Sequence, residues 1–148
     1  MNQDTLASTA AQFSEQLREL SVVINKDISQ VFRATTLRVF GNIVRRSPVL
    51  TGAYRGSHGI ANIEPGGSEG INVGDKKTLK SVPAATAKGW SWSVGDGDIW
   101  IYNNLPYAER LENGWSKQAP EGIYGLALQE FIAFMSSEIA KAQTLVGD

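Results

Sequence analysis

The sequence predicts an α+β fold: a long N-terminal helix and a C-terminal helix flanking a small antiparallel β-sheet, with a short helix between sheet and C-terminal helix. Three observations predict it. Apolar residues recur at steps of three and four through residues 5–46 and again after residue 120. Apolar and polar residues alternate in short runs between 57 and 103, and Pro and Gly mark the borders. With 148 residues, 42% hydrophobic and 20% charged, the chain reads as one domain, 1–148, with enough material for a core.

The first helix rests on Phe13, Leu17, Leu20, Ile24, Ile28, Val31, Thr35, Val39 and Ile43, one continuous face, with Asp4 as its expected N-cap. At 1.5 Å per residue it spans roughly 60 Å, longer than one small domain can cover, so part of it is expected to project or break. Arg38, Arg45 and Arg46 lie towards its C-terminal end, where cations complement the helix dipole; a DNA-facing basic stripe is the sharper alternative. Pro48 ends the helix.

The stretch "SPVLTGAYRGS", 47–57, follows. Thr51 suits the cap of a helical turn carrying Tyr54 and Arg55, while Gly52 and Gly56 permit close approach of neighbours. "HGIANIE" and "INVG" read as two short strands around the turn "PGGSEG". Residues 75–89 read as an exposed, mobile loop in which Lys76, Lys77, Lys80 and Lys88 are either solvated or contact phosphate or a neighbouring subunit. "WSWSV", "GDGD" and "IWIYN" give the clearest hairpin signal. Trp90, Trp92 and Val94 alternate with serine, and the strand 99–102 is apolar on both faces, as expected in a sheet interior or under a subunit contact.

The stretch "NNLPYAERLENGWSKQAP", 103–120, reads as a strand exit, a short helix and a hinge. Pro106 suits a first helical turn, and Tyr107, Ala108 and Leu111 make a one-sided patch. Gly114 fits a left-handed C-cap. Gln118–Ala119–Pro120 is an extended corner, and Pro120 is expected to open a second long helix through Ile123, Leu126, Ala127, Phe131, Phe134, Met135 and Ile139.

Chemistry has few places to sit. With no cysteine, disulfides and thiolate metal sites are excluded. Phosphate-cradling, dinucleotide and zinc motifs do not occur, and no cofactor or metal is expected. Asp96 and Asp98 are turn carboxylates without further ligands. His58, the single histidine, has no spacing that pairs it with a nucleophile and an orienting acid. Glu109 and Glu112 share a helical face but read as solvated. The chain is therefore not expected to be an enzyme. No apolar run reaches the length of a membrane span, and the N-terminus lacks a signal-peptide pattern, so a soluble chain without membrane contact is expected. Net charge is −1, but residues 1–63 carry seven Lys/Arg against four Asp/Glu (+3) and residues 64–148 seven against eleven (−4). That split either helps like subunits meet head to tail or reflects unrelated solvated faces.

Together, the two punctuated stretches resemble the neck and tail-completion family of tailed bacteriophages, related to minor tail protein Z. Ser47, Pro48, Val49, Thr51, Gly52, Arg55 and Ser57 match its first motif. Asn103 or Asn104, Pro106, Tyr107, Ala108, Leu111, Glu112, Gly114, Ser116, Gln118, Ala119 and Pro120 match the second. Tyr54, Leu50 and Trp115 depart from the usual residue types. The resemblance implies a non-enzymatic virion protein, present in the host cytoplasm during assembly. It implies a homo-oligomeric ring, expected as a hexamer, around the DNA channel at the head–tail junction or tail end. Its partners would be itself, other neck, connector and tail proteins, and packaged DNA through non-specific contacts. Two alternatives stay open: a tail terminator that caps the tube and docks the connector, and a DNA-binding module gripping phosphates through Lys76, Lys77, Lys80 and Lys88.

Overall fold

The computed structural model describes residues 3–146, with side chains placed for 10–142 apart from 20, 21 and 23. Its elements are α1 (Gln3–Arg46), α2 (Ala53–Gly56), β1 (His58–Ala61), α3 (Lys76–Leu79), α4 (Val82–Gly89), β2 (Trp100–Asn103), α5 (Ala108–Glu112) and α6 (Tyr124–Val146). The fold is α+β: two long helices flank a two-stranded antiparallel sheet.

Helix α1 runs unbroken for 44 residues because nothing in it interrupts helical geometry; no Pro occurs in it and its first Gly is Gly41. It begins at Gln3, so Asp4 lies inside the first turn and is not the cap. Its apolar face divides in two. Val31, Thr35, Val39 and Ile43 are buried, whereas Phe13, Leu17, Ile24 and Ile28 on the same face are exposed; the Leu20 side chain lies outside those described. Every described side chain from 10 to 28 is exposed except the half-buried Asp27. The helix therefore projects.

Helix α6 packs antiparallel along the C-terminal part of α1. Arg46 pairs with Glu130, Asn42 Nδ2 donates to Glu130 Oε2 at 2.8 Å, and Arg38 bonds Glu138 at 3.2 Å while its guanidinium lies 4.3 Å from the Phe134 ring centre. Two of the three arginines offered as a DNA-facing stripe are thus spent on α6; Arg45 remains exposed. The core gathers Val39 and Ile43 of α1, Tyr54 of α2, Leu79 of α3, Leu105, Ala119, Ile123 and Ala127.

Pairing in the sheet differs from the expected hairpin. β2 pairs with β1 in the register His58–Asn103, Gly59–Tyr102, Ile60–Ile101 and Ala61–Trp100. Residues 90–94 form no strand, and α1 is what Trp92 and the backbone of Val94 meet instead. The Trp92 ring packs on Phe32 at 5.3 Å and donates Nε1–H to Gly97 O, and Val94 N donates to Ser29 Oγ at 3.0 Å. The Trp/Ser alternation matches cover only at Trp92, where the cover is a helix, while Val94 on the same face is exposed. β2 is an edge strand with Trp100 facing out at 36% exposure, so it does not lie in a sheet interior. The tight turn falls at 93–96, starting ahead of the "GDGD" run expected to hold it, with Asp96 Oδ2 accepting from Ser93 N at 2.8 Å.

Two loop readings also change. "INVG" is not a strand, because Asn72 folds back: its amide donates to the carbonyls of Gly56 and Gly70, and its backbone exchanges hydrogen bonds with the Ser57 hydroxyl. Residues 75–89 are not a mobile loop but the helical pair α3–α4. Asp75 caps α3 by accepting from Lys77 N, Pro83 sits in the first turn of α4, and Ala84, Ala85 and Ala87 are strong helix formers. Leu79, 6% exposed, pins the pair against Gly56.

Candidate functional site

The two sequence motifs meet in one buried joint. At the end of α1, Pro48 breaks the helix and leaves its last carbonyls without intrahelical partners. Arg55, carried on α2, supplies the missing donors: its Nη2 bonds Ser47 O at 2.8 Å and Arg45 O at 3.4 Å. Thr51 Oγ1 accepts from Ala53 N at 3.2 Å, while Gly52, at φ 90°, is the residue at the N-cap. Gln118 from the second motif then pairs with Val49 as a strand would, accepting from its N–H at 3.0 Å and donating to its carbonyl at 3.4 Å.

Beneath this pairing lies a chain of polar side chains. The Ser47 hydroxyl donates to Ile43 O at 2.7 Å and lies 2.6 Å from His58 Nε2. Ser47 has one proton and Ile43 O can only accept, so Nε2 carries the imidazole proton and donates to Ser47. Nδ1 is then an acceptor, facing Tyr124 OH at 2.8 Å and the Asn103 amide at 3.3 Å. Asn103 is held the right way round, since its Nδ2 also donates to Tyr54 O at 2.9 Å and its Oδ1 accepts from Leu105 N at 3.1 Å. One tautomer satisfies every partner.

Burial pushes the His58 pKa down to about 3, with the Arg55 charge adding in the same direction. His58 is 2% exposed and Ser47 is 2% exposed. Burial, joined by the carboxylate of Glu112, pushes the Tyr54 phenol up; the Tyr124 phenol moves the same way for the same leading reason. All four groups are neutral across the physiological range. As wired, the imidazole donates to the serine and has no lone pair facing it, so this contact does not form a nucleophile and base.

Glu112 is the second anchor, and it is not the solvated carboxylate expected. Its oxygens accept from the backbone N–H of Ile123 at 3.0 Å, Tyr124 at 2.8 Å and Gly125 at 2.8 Å. Those are the orphan donors at the start of α6, so a negative charge also meets the positive end of the helix dipole. Helix α6 accordingly begins at Tyr124 and is not opened by Pro120, which lies in the turn before it. Helix α5 covers Ala108–Glu112, so Pro106 precedes it and does not sit in its first turn. Gly114 takes φ 83°, and a Cβ there would stand 2.4 Å from Pro120 O, so the C-cap reading holds and the corner is tight as well as left-handed.

No family model, curated protein or solved structure matches this chain. What the residues do in the fold must therefore carry the reading.

The polar motif residues act mainly on backbone. Ser57 holds residue 72, the Asn104 amide donates to Gly66 O at 2.8 Å and Glu69 O at 3.1 Å, and Ser116 Oγ accepts from Gln118 N at 3.2 Å. Ala119 is buried, while Ala108 and Leu111 pack against the core. Pro106 and Tyr107 face out. Lys76, Lys77, Lys80 and Lys88 are exposed along α3 and α4 and do not enter the joint. His58 and Tyr124, the centre of the polar chain, carry no signal in the sequence that singles them out, since their partners come from segments up to 66 residues away. Among the described residues no group of three or more acidic or histidine side chains is placed to hold a metal ion.

Proposed function

We propose that this protein is a structural subunit that assembles with copies of itself into a ring, serving as a neck or tail-completion component of a tailed phage. One observation carries the assembly part: half of the apolar face of α1, from Phe13 to Ile28, projects uncovered from a chain whose motif residues hold that helix in a fixed direction. A projecting helix with an apolar face has reason to exist when something else covers it. The two motif resemblances point to the phage neck, and the joint supports that reading by giving their residues an architectural task.

Light scattering on purified protein, with negative-stain images of the same sample, tests the reading. Closed rings with a mass several times 16.0 kDa are expected. A monomer at every accessible concentration would overturn it. The four exposed lysines of α3 and α4 favour DNA contact as a second reading, in which a monomer shifts duplex DNA with steep salt dependence.

A further inference from the structure

Among the described residues, two apolar surfaces lack a partner. The first is the α1 stripe of Phe13, Leu17, Ile24 and Ile28, which are 61%, 51%, 46% and 39% exposed. The second is an apolar cavity of about 660 Å³ walled by Phe32 and Val39 of α1, Ile99 and Ile101, and Leu128 and Phe131 of α6. It does not end at Leu128. Leu128, Ile132 and Ile139 recur at steps of four and seven on one face of α6 and are 72%, 75% and 43% exposed, so an apolar ridge continues from the cavity along the helix.

The two surfaces match in length. Residues 13–28 and residues 124–139 each cover about 24 Å of helix at 1.5 Å per residue. They cannot meet within one chain. The stripe and the cavity wall lie on the same uninterrupted helix, which has no Gly or Pro before Gly41 and so cannot fold back on itself. Only another molecule can bring them together.

We propose that the 13–28 stripe of one copy seats in the cavity and along the α6 ridge of the next copy. The contact is helix-in-groove and heterologous: each subunit inserts its stripe into one neighbour and receives a stripe from the other. Seating half the side surface of a 24 Å helix removes roughly 400–500 Å² from each partner, on the order of 1,000 Å² in total, which reaches the lower bound of specific interfaces. A ring repeats that contact at every junction. The proposal rests on the reading of the chain as a self-assembling ring subunit, and names the surfaces that join.

The absence of native cysteine allows a direct test. Single-cysteine chains Ile24→Cys and Leu128→Cys, made with tags of different size and co-expressed, are oxidised and run without reductant. Positions 13, 17 and 28 against 132 are scanned the same way. Disulfide-linked mixed dimers are expected from at least one stripe–ridge pair. The exposed-site double variant Leu17→Glu/Ile24→Glu, folded by circular dichroism, is expected to weaken assembly at least tenfold. Like-with-like links at position 24 without mixed ones would overturn the proposal in favour of stripe pairing with stripe. Rings that persist in the double variant and yield no stripe–ridge link would overturn the contact and leave the ring reading standing. A wild-type chain that stays monomeric would end both.

Discussion

Lowering the pH from 7 to 5 should destabilise the protein through His58 alone among the side chains. The imidazole is neutral in the fold, with its pKa pushed down to about 3 by burial and by Arg55, whereas an exposed histidine titrates near 6.5. Between those values the unfolded chain binds a proton that the folded chain refuses. Stability is therefore fully present above about pH 6.5 and is lost as pH falls towards 3. The slope approaches about 1.4 kcal/mol per pH unit, which integrates to about 2 kcal/mol between pH 7 and 5 and about 3 kcal/mol by pH 4. The chain has one histidine, so no other side chain has an ordinary pKa within the 7-to-5 window. Denaturant melts at pH 7, 6 and 5, at fixed protein concentration, measure the loss. The same series on His58→Gln should begin lower, because the bonds to Ser47 and Tyr124 are disturbed, but should run nearly flat. Equal slopes in the two proteins, or a wild-type curve flat from 7 to 5, would refute the assignment of a neutral His58 in the fold.

Three further outcomes are expected. Glu112→Ala removes the acceptor for three backbone N–H groups at the start of α6 and should cost about 2–3 kcal/mol, with Glu112→Gln recovering part of it, read from denaturant midpoints. Gly114→Ala places a methyl group against Pro120 O at a left-handed φ and should cost about 2–4 kcal/mol; an unchanged melting temperature would show that this corner is not built as described. Thr35→Val should be neutral or stabilise by about 1 kcal/mol, since Thr35 Oγ1 is buried without a hydrogen-bond partner and the replacement keeps the shape; a loss above 1 kcal/mol would reveal a partner for that hydroxyl.

Long-range periodicity was legible in the sequence and pairing was not. The steps of three and four in α1 and α6 survive because a helix satisfies its own backbone, so local pattern and fold agree. The 90–102 hairpin failed because adjacency in sequence competed with cover by Phe32 and Ser29, which lie some sixty residues earlier. The 75–89 segment was misread because lysine and proline suggested a loop, while its alanines and the Asp75 cap favoured helix. Gly114 was readable, since only its own backbone mattered. Glu112 was not: its three partners follow a corner, and no fixed spacing announces a carboxylate that reaches across one. The joint is illegible in the sequence for the same reason, being assembled from α1, α2, β1, β2 and α6 at once.

The placement of that joint has a mechanical consequence. Among the described residues, the contacts that fix α1 act between Ser29 and Arg46, while the segment before Ser29 extends about 38 Å to Gln3 at 1.5 Å per residue. The helix is thus a lever with its clamp at one end, and a tilt of about 5° at the clamp moves the tip by about 3 Å over such a length. A side chain seated in a neighbour tolerates far less displacement than that. In the proposed ring, angular error at Ser47 and Arg55 would accumulate subunit by subunit until the last gap failed to shut. The density of hydrogen bonds around one short kink is then a matter of alignment more than of adhesion.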